Sequence, residues 1–241
     1  MIAPAAELLD AAGWASWIQL TLIHALALVA AIMLVSGIDD VLYDAWYWAR
    51  AARRMVFKRP RIKQVSREAL VTQAEQPIAV MIPAWEEAAV LEPMLARLSR
   101  TIDYSNYRVY VGVYPNDAAT QDAAARAAAH HPRLRIVVLD HNGPTNKADC
   151  LNGIWRAILV DEALGCKPFQ LFVMHDCEDV IHPLAWRLLN WLIPRKDMVQ
   201  LPVLSLPRRW WEVTAAHYQD EFAQQHLKDL VVRESMHRSL P

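Results

Sequence analysis

Phe172-Val173-Met174-His175-Asp176-Cys177-Glu178-Asp179 is the stretch on which the reading of this chain turns, because an apolar run stops there on three carboxylates within four positions. A short apolar run bounded in this way predicts a buried strand that delivers Asp176, Glu178 and Asp179 to the rim of a sheet. Open α/β sheets place their chemistry at that rim. Carboxylates this close repel one another, and a hard divalent cation, Mg²⁺ or Mn²⁺, relieves the repulsion while holding a substrate's phosphates. The same residues also fit a polar strand-to-helix turn, with Asp179 capping a helix over residues 184–192. On these residues alone both readings stand.

Working outward, strand-like and helix-like segments alternate. Ile78-Ala79-Val80-Met81-Ile82 is an apolar run stopped by Pro83. Residues 90–99 read as helix, 108–114 as strand, 122–129 as an alanine-rich helix and 134–139 as strand. Residues 148–163 read as helix, 170–174 as strand, 184–192 as helix and 198–201 as a short strand. Alternation of this kind predicts βαβ crossovers, hence an α/β domain with a mainly parallel sheet and helices on both faces.

The carboxyl ends of these strands are the places to look for function. They are Pro83-Ala84-Trp85-Glu86-Glu87, Pro115-Asn116-Asp117, the segment from His141 to Lys147, and Asp176-Cys177-Glu178-Asp179. Acidic residues stand at three of the ends and a lysine at the remaining one, a pattern suited to a metal-bound anionic ligand. Neither GxGxxG nor GxxxxGK[ST] occurs, so the glycine-rich ways of cradling phosphate are absent.

Upstream, residues 17–35 read WIQLTLIHALALVAAIMLV, free of formal charge and long enough at helical rise to cross roughly 28 Å. Acidic Glu7 and Asp10 precede this run, and Arg50, Arg53, Arg54, Lys58, Arg59, Arg61, Lys63 and Arg67 follow it. The asymmetry predicts a retained transmembrane helix with the amino terminus outside and the basic side in the cytoplasm. His24 and Gln19 are its polar residues, and His24 is expected to face a partner helix. In the segment after the span, Val41, Leu42, Ala45, Trp46, Trp48, Ala49 and Ala52 share a face, which suits a helix lying in the lipid headgroup region and ending at Pro60.

The expected organisation is a non-cytoplasmic segment over 1–16, a transmembrane helix over 17–36, a basic interfacial helix over 37–63, a linker or short helix over 64–77 and the α/β domain over 78–241. The net charge of -1 provides no global argument for nucleic acid, and no nucleic-acid partner is expected. Cys150, Cys166 and Cys177 are odd in number and lack CxxC spacing, so reduced thiols on the cytoplasmic side fit best.

Taken in order, the strand ends resemble the GT-A fold of family 2 glycosyltransferases, which use nucleotide-diphosphate sugars. Met81-Ile82-Pro83-Ala84-Trp85-Glu86-Glu87 is similar to the family's IPAYNE element, with Trp85 in the tyrosine position and Glu86 in the asparagine position. Asn116-Asp117 is similar to the second-strand aspartate that contacts the base. Asn146-Lys147-Ala148-Asp149-Cys150-Leu151-Asn152 resembles GKAxALN, Asp176-Cys177-Glu178-Asp179 stands in the DxD position, and Val199-Gln200-Leu201-Pro202 is similar to the VQxP strand. Together with the preceding span, the wording resembles most the bacterial inner-membrane group typified by bacteriophage N4 adsorption protein B. Glu178 departs from DxD by a longer arm, and Asp179 could share its task.

The resemblance implies an inverting transfer for bacterial surface polysaccharide synthesis, with the domain on the cytoplasmic face of the inner membrane. It implies a nucleotide-diphosphate sugar donor, UDP-linked by analogy, a saccharide acceptor, lipid contact and a membrane or outer-membrane export partner. Metal would be held by Asp176 and Glu178 with Asp179, and Lys147 would meet the diphosphate. Pro83, Ala84, Trp85, Glu87 and Asp117 would form the nucleotide pocket. In the family, a TED-like catalytic base and a QxxRW element follow the region matched here, which makes this chain the donor-binding part of such an enzyme. Two other functions are compatible with the residues: a non-catalytic membrane-anchored binding subunit, and a metal-dependent phosphohydrolase or nucleotidyltransferase on the same kind of sheet. His175 and His182, which flank the acidic cluster, are expected to support it and not to bind zinc.

Overall fold

The structure is a computed structural model that describes residues 5–57, 65–206, 209 and 211–237. The chain divides into two compact units, Gln64–Gln200 and a second made of Met1–Lys63 with Leu201–Pro241. Lys58, Arg59, Pro60, Arg61 and Lys63 of the basic cluster lie outside the described residues, as does Trp210.

Helix α1 (Ala5–Ser36) contains the apolar run and continues beyond it towards the amino terminus. It carries no basic residue in its last turn, and its side chains from Trp17 to Val35 are exposed. The helical stretch Ser16–Val56 is the one part of the described residues long and apolar enough to cross a membrane. The His24 Nδ1 hydrogen bonds to the Leu20 carbonyl at 2.7 Å and the Thr21 hydroxyl donates to the Trp17 carbonyl at 2.8 Å. Polar groups on an apolar helix are thus satisfied within it, and His24 has a partner without a neighbouring helix.

Gly37 separates α1 from α2 (Ile38–Val56). The shared face expected of α2 is exposed at Val41, Leu42, Trp46 and Trp48. Tyr43, Asp44 and Trp46 meet the carboxyl-terminal helices of the same unit. The Gly37 amide closes the last turn of α1 on the Met33 carbonyl at 2.9 Å.

In the other unit, α3 (Arg67–Thr72) begins at Ser66, whose hydroxyl accepts the Ala69 amide at 3.2 Å. The segment read as a linker or short helix contains α3 and is packed down. Leu70 is buried, and the buried Asn190 donates to the Ala74 carbonyl at 3.0 Å while accepting the Gln76 amide at 3.2 Å.

Strands β1 (Ile78–Pro83), β2 (Tyr107–Val113), β3 (Leu134–Val138) and β4 (Leu171–Met174) alternate with α4 (Ala88–Thr101), α5 (Ala118–His130) and α6 (Lys147–Ala163), and α7 (Ala185–Leu192) follows β4. All three strand pairs are parallel and the order is β3-β2-β1-β4. Ile78 pairs with Tyr107 on one side and Leu171 on the other, and Val109 pairs with Leu134. The α/β architecture expected from alternation is therefore present.

Alternate side chains along the strands fill two layers. Ala79, Tyr110 and Tyr114 pack with Cys150, Ile154 and Ile158 of α6. Ile78, Val80, Ile82, Val109 and Val111 point the other way and are fully buried, as are Leu91 of α4 and Trp186 of α7. Each such aliphatic side chain stabilises the fold by roughly 1.5–3 kcal/mol relative to exposure. Gly112 is required where β2 meets α6, because a Cβ there would lie 2.6 Å from Cys150 Sγ.

Two expectations are corrected. Residues 198–201 form no strand, and their apolar run has no ladder partner among the described residues. Asp179 does not cap the following helix: α7 has no side-chain cap from its N-cap residue Leu184, whose own amide donates to His182 Nδ1 at 3.1 Å.

After a 3₁₀ turn (Ile193–Arg195) the chain passes to the carboxyl-terminal helices, α8 (Val213–Gln224), a π-helical turn (Gln225–Asp229) and α9 (Leu230–His237). Within their unit, Lys228 pairs with Asp44 of α2, and Trp46 Nε1 donates to Ser235 Oγ at 3.1 Å. Arg233 lies over the Tyr43 ring, with its guanidinium carbon 5.4 Å from the centroid.

Candidate nucleotide and metal site

Strand order places the site before any side chain is considered. Moving from β1, the chain steps outward to β2 and β3 and then returns to the opposite side of β1 for β4. The reversal opens a crevice at the carboxyl ends of β1 and β4, where doubly wound sheets bind ligands. The two richest segments meet there: Pro83 to Glu87 from β1, and His175 to Asp179 from β4. The His175 amide continues the ladder by donating to the Met81 carbonyl at 3.1 Å.

Lys147, the first residue of α6, reaches the β4 end and donates from Nζ to Asp176 Oδ1. Asn146 sets that helix start by accepting the Asp149 amide on Oδ1 at 2.9 Å. Glu87 belongs to the same electrostatic neighbourhood: burial, and then the charges of Glu178 and Asp176, push its carboxyl above its usual range. Glu87 from the β1 end, Asp176 and Glu178 from the β4 end and Lys147 from the α6 start are thus brought together.

Cys177 lies within this cluster but is buried, and its thiol donates to the Pro83 carbonyl at 3.5 Å. Burial, and then Glu87, Glu178 and Asp176, push that thiol up to about 12, so it stays protonated and packs.

Asp179, expected to share the ligand role, is tied to its own turn. Its Oδ2 accepts the Asp176 amide at 3.0 Å and faces His175 Nδ1 at 3.3 Å. Burial raises this carboxyl, but the hydrogen bonds from His175 and the Asp176 amide, with the charge of Lys147, outweigh it and hold the group low. Among the described residues no three His, Cys, Asp or Glu side chains are arranged to hold a metal by themselves. A pair such as Asp176 and Glu178 still suits a cation that completes its shell with phosphate oxygens and water.

Asp117, expected in the nucleotide pocket, is held by backbone amides. It is buried, its Oδ2 accepts the Glu86 amide at 2.6 Å, and its Oδ1 accepts the Thr120 amide at 3.1 Å as the cap of α5. Glu86 has φ of 57°, a left-handed conformation that a non-glycine residue holds at some expense. The Glu87 amide donates to Thr120 Oγ1 at 3.0 Å, so the loop after β1 is fastened to α5 at two successive residues.

Trp85, expected in the nucleotide pocket, packs against the β2 end and the loop after β3. It meets Tyr114 edge-on at 5.2 Å, and a Cβ on Gly143 would lie 2.4 Å from its ring. Asn116 holds Gly143 on both sides, donating to its carbonyl at 2.7 Å and accepting its amide at 2.8 Å. His141, in the same loop, lies between Asp140 and Asp149 at 2.7 Å each, and these two contacts raise its pKa. Asn116 as a loop clamp, Gly143, His141 and Trp186 went unrecognised in the sequence. The Asn-Gly and His-Asn-Gly-Pro strings signal turns, but which turn closes over Trp85 depends on the sheet order.

The family model described as "Glycosyltransferase like family 2" matches residues 75–241. The chain belongs to this family. "Bacteriophage adsorption protein B" of Escherichia coli (strain K12) is 40% identical to the chain over 228 residues, 95% of this chain and 30% of that protein. "Bacteriophage N4 adsorption protein B" of Escherichia coli O157:H7 matches with the same identity and coverage. The chain thus spans 30% of the length of these curated relatives.

Among solved structures, a mannosyltransferase from Pyrobaculum calidifontis, in complex with GDP-Man and Mn²⁺, is similar with 16% identity and a TM-score of 0.46, covering 73% of this chain and 47% of that one. Glucosyl-3-phosphoglycerate synthase from Mycobacterium tuberculosis, in complex with UDP, is similar with 18% identity and a TM-score of 0.37, covering 74% and 59%.

Proposed function

We propose that this chain is the donor-binding part of a membrane-anchored, inverting glycosyltransferase that takes sugar from a UDP-linked donor for a bacterial surface polysaccharide. One observation carries the reading: Asp176, Glu178 and Glu87 share a crevice at the topological reversal, and Lys147 meets Asp176 there. Burial, and then repulsion from Glu178 and Asp176, raise Glu87 at a site with an ammonium already recruited, which suits a divalent cation with a diphosphate.

Asp176 and Glu178 would hold Mg²⁺ or Mn²⁺, which when bound supplies neutralisation of the charge that develops on a leaving diphosphate. Lys147 adds a positive charge from the α6 start. Trp85, with Pro83 and Ala84, walls the nucleotide side, and Glu87 is placed to accept hydrogen bonds from a ribose. Asp117 acts by holding the Trp85–Glu87 loop in place. Asp179 supports Asp176.

The exposed apolar surface of α1 and the exposed apolar face of α2 support a bilayer as their surroundings, and the charge asymmetry around the span supports a cytoplasmic domain at the bacterial inner membrane. A saccharide acceptor, suggested by membership of the family, and a membrane or outer-membrane export partner are part of the same proposal.

The test uses the full chain in detergent, titrated with UDP and GDP with and without Mn²⁺ and then incubated with UDP-sugars. Mn²⁺-dependent UDP binding is expected. Binding with no glycosyl product, in the presence of acceptor saccharide, points to a binding subunit. Release of inorganic phosphate or pyrophosphate without glycosyl product overturns the glycosyltransferase reading in favour of a phosphohydrolase or nucleotidyltransferase.

A further inference from the structure

A hydrogen-bonded chain runs from the core to the backbone of Asp176. Trp186 of α7 is fully buried, with its ring 4.8 Å from that of Tyr107 and 6.5 Å from that of Tyr104. Its indole N–H donates to His175 Nε2 at 3.1 Å. An indole nitrogen can only donate, so Nε2 is the acceptor and the imidazole proton sits on Nδ1. Nδ1 in turn faces Asp179 Oδ2 at 3.3 Å, and the same oxygen accepts the Asp176 amide at 3.0 Å. The planes of the His175 and Trp186 rings lie within 23° of each other, with centroids 6.1 Å apart, consistent with the hydrogen bond between their edges.

A turn of this size needs only one acceptor. Here the acceptor is itself oriented by an imidazole whose tautomer is set by a buried indole, and the anchoring group lies on a different element from the turn it controls. Side chains that orient a ligand-bearing carboxylate act through such contacts without touching the ligand.

We propose that Trp186, His175 and Asp179 are positioning residues that hold Asp176 in the orientation needed to bind a metal–diphosphate. The proposal rests on the reading of Asp176 given above. It assigns to His175 a role in orienting the carboxylate and to Trp186 a role beyond core packing.

The experiment has two readouts on the full chain in detergent. The first is the ¹⁵N NMR signature of His175, expected to be the neutral Nδ1–H tautomer; an Nε2–H tautomer overturns the chain. The second is the affinity for UDP with Mn²⁺, measured for Trp186→Phe, Asp179→Asn, their double variant, His175→Ala and His175→Asn, with Asp176→Asn as control and thermal melting as a check on folding. Trp186→Phe keeps a ring but removes the donor, and Asp179→Asn keeps the shape but changes the acceptor. Each is expected to lower affinity by roughly 10-fold, with the double variant no weaker than the weaker single one. His175→Asn places an amide donor near the Nδ1 position and should retain affinity that His175→Ala loses.

If Asp176→Asn abolishes binding while Trp186→Phe, Asp179→Asn and His175→Ala all stay within about twofold of the unsubstituted chain, the positioning proposal is wrong and the donor site stands. If Asp176→Asn leaves binding unchanged, the donor-site reading fails and the proposal falls with it. Should Trp186→Phe not fold, Asp179→Asn and the His175 pair decide the matter in the same way.

Discussion

Lys147 donates from Nζ to Asp176 Oδ1, linking the start of α6 to the end of β4 across the crevice. Both side chains are nearly half exposed, at 46% and 48%. An ion pair in that setting contributes at most about 1 kcal/mol to folding, so its significance lies in where it places charge. Lys147→Met should leave the thermal midpoint nearly unchanged and weaken Mn²⁺–UDP binding by about tenfold, the loss of one charge-assisted contact. Calorimetry on the two proteins measures this, and equal affinities would remove Lys147 from the site.

Asp117 holds the loop after β1 through the Glu86 amide at 2.6 Å and caps α5 through the Thr120 amide at 3.1 Å. Asp117→Ala removes both acceptors and should destabilise the domain by about 1–3 kcal/mol in denaturant unfolding. The acid side carries a second sign of the same contacts. Burial raises this carboxyl, but the Thr120 hydroxyl, the Glu86 amide and the Thr120 amide prevail and hold it below its ordinary 3.8. A depressed folded value means that the contribution is complete above 3.8 and is lost as pH falls through the lower folded value. The Asp117→Ala protein should therefore lose less stability than the parent over that acid range.

Gly143 sits against the Trp85 ring so closely that a Cβ would come within 2.4 Å of it. Gly143→Ala must push the indole or the loop aside. If Trp85 walls the nucleotide pocket, UDP affinity should fall several-fold, while destabilisation stays within the roughly 1–3 kcal/mol typical of overpacking. Tryptophan fluorescence during a UDP titration checks both the displacement and the affinity.

His141 is held between Asp140 and Asp149, and the hydrogen bond to Asp140, followed by that to Asp149, raises its pKa above the ordinary 6.5. A raised folded value gives stabilisation that is complete below 6.5 and disappears as pH rises through the folded value. Amide exchange of residues 140–146, corrected for intrinsic rates, should report loosening of the loop as pH rises through that range. His141→Gln should abolish the pH dependence of this loosening.

The sheet was legible because its helices and strands carry distinct apolar periods, and the strand ends then followed from strand direction. Asp176, Glu178, Glu87 and Lys147 could be collected from the sequence for that reason. What Asp117 and Asp179 do could not. A carboxylate reads alike whether it faces a ligand or a backbone amide, and Asp117 meets Glu86 only because Glu86 adopts a left-handed conformation without a glycine to announce it. The link from His175 to Trp186 depends on how α7 packs against the sheet, and sequence distance does not encode that packing. Residues 198–201 misled for a related reason: a strand-like run forms a strand only where a partner edge is available.

Asp176 is the residue on which the account rests. The most direct measurement is calorimetric titration of UDP into the full chain with Mn²⁺ and with chelator, before and after Asp176→Ala. The account predicts Mn²⁺-dependent UDP binding in the unsubstituted protein and its loss in the variant, with folding retained by circular dichroism. Mn²⁺-dependent binding of unchanged affinity in Asp176→Ala would contradict it.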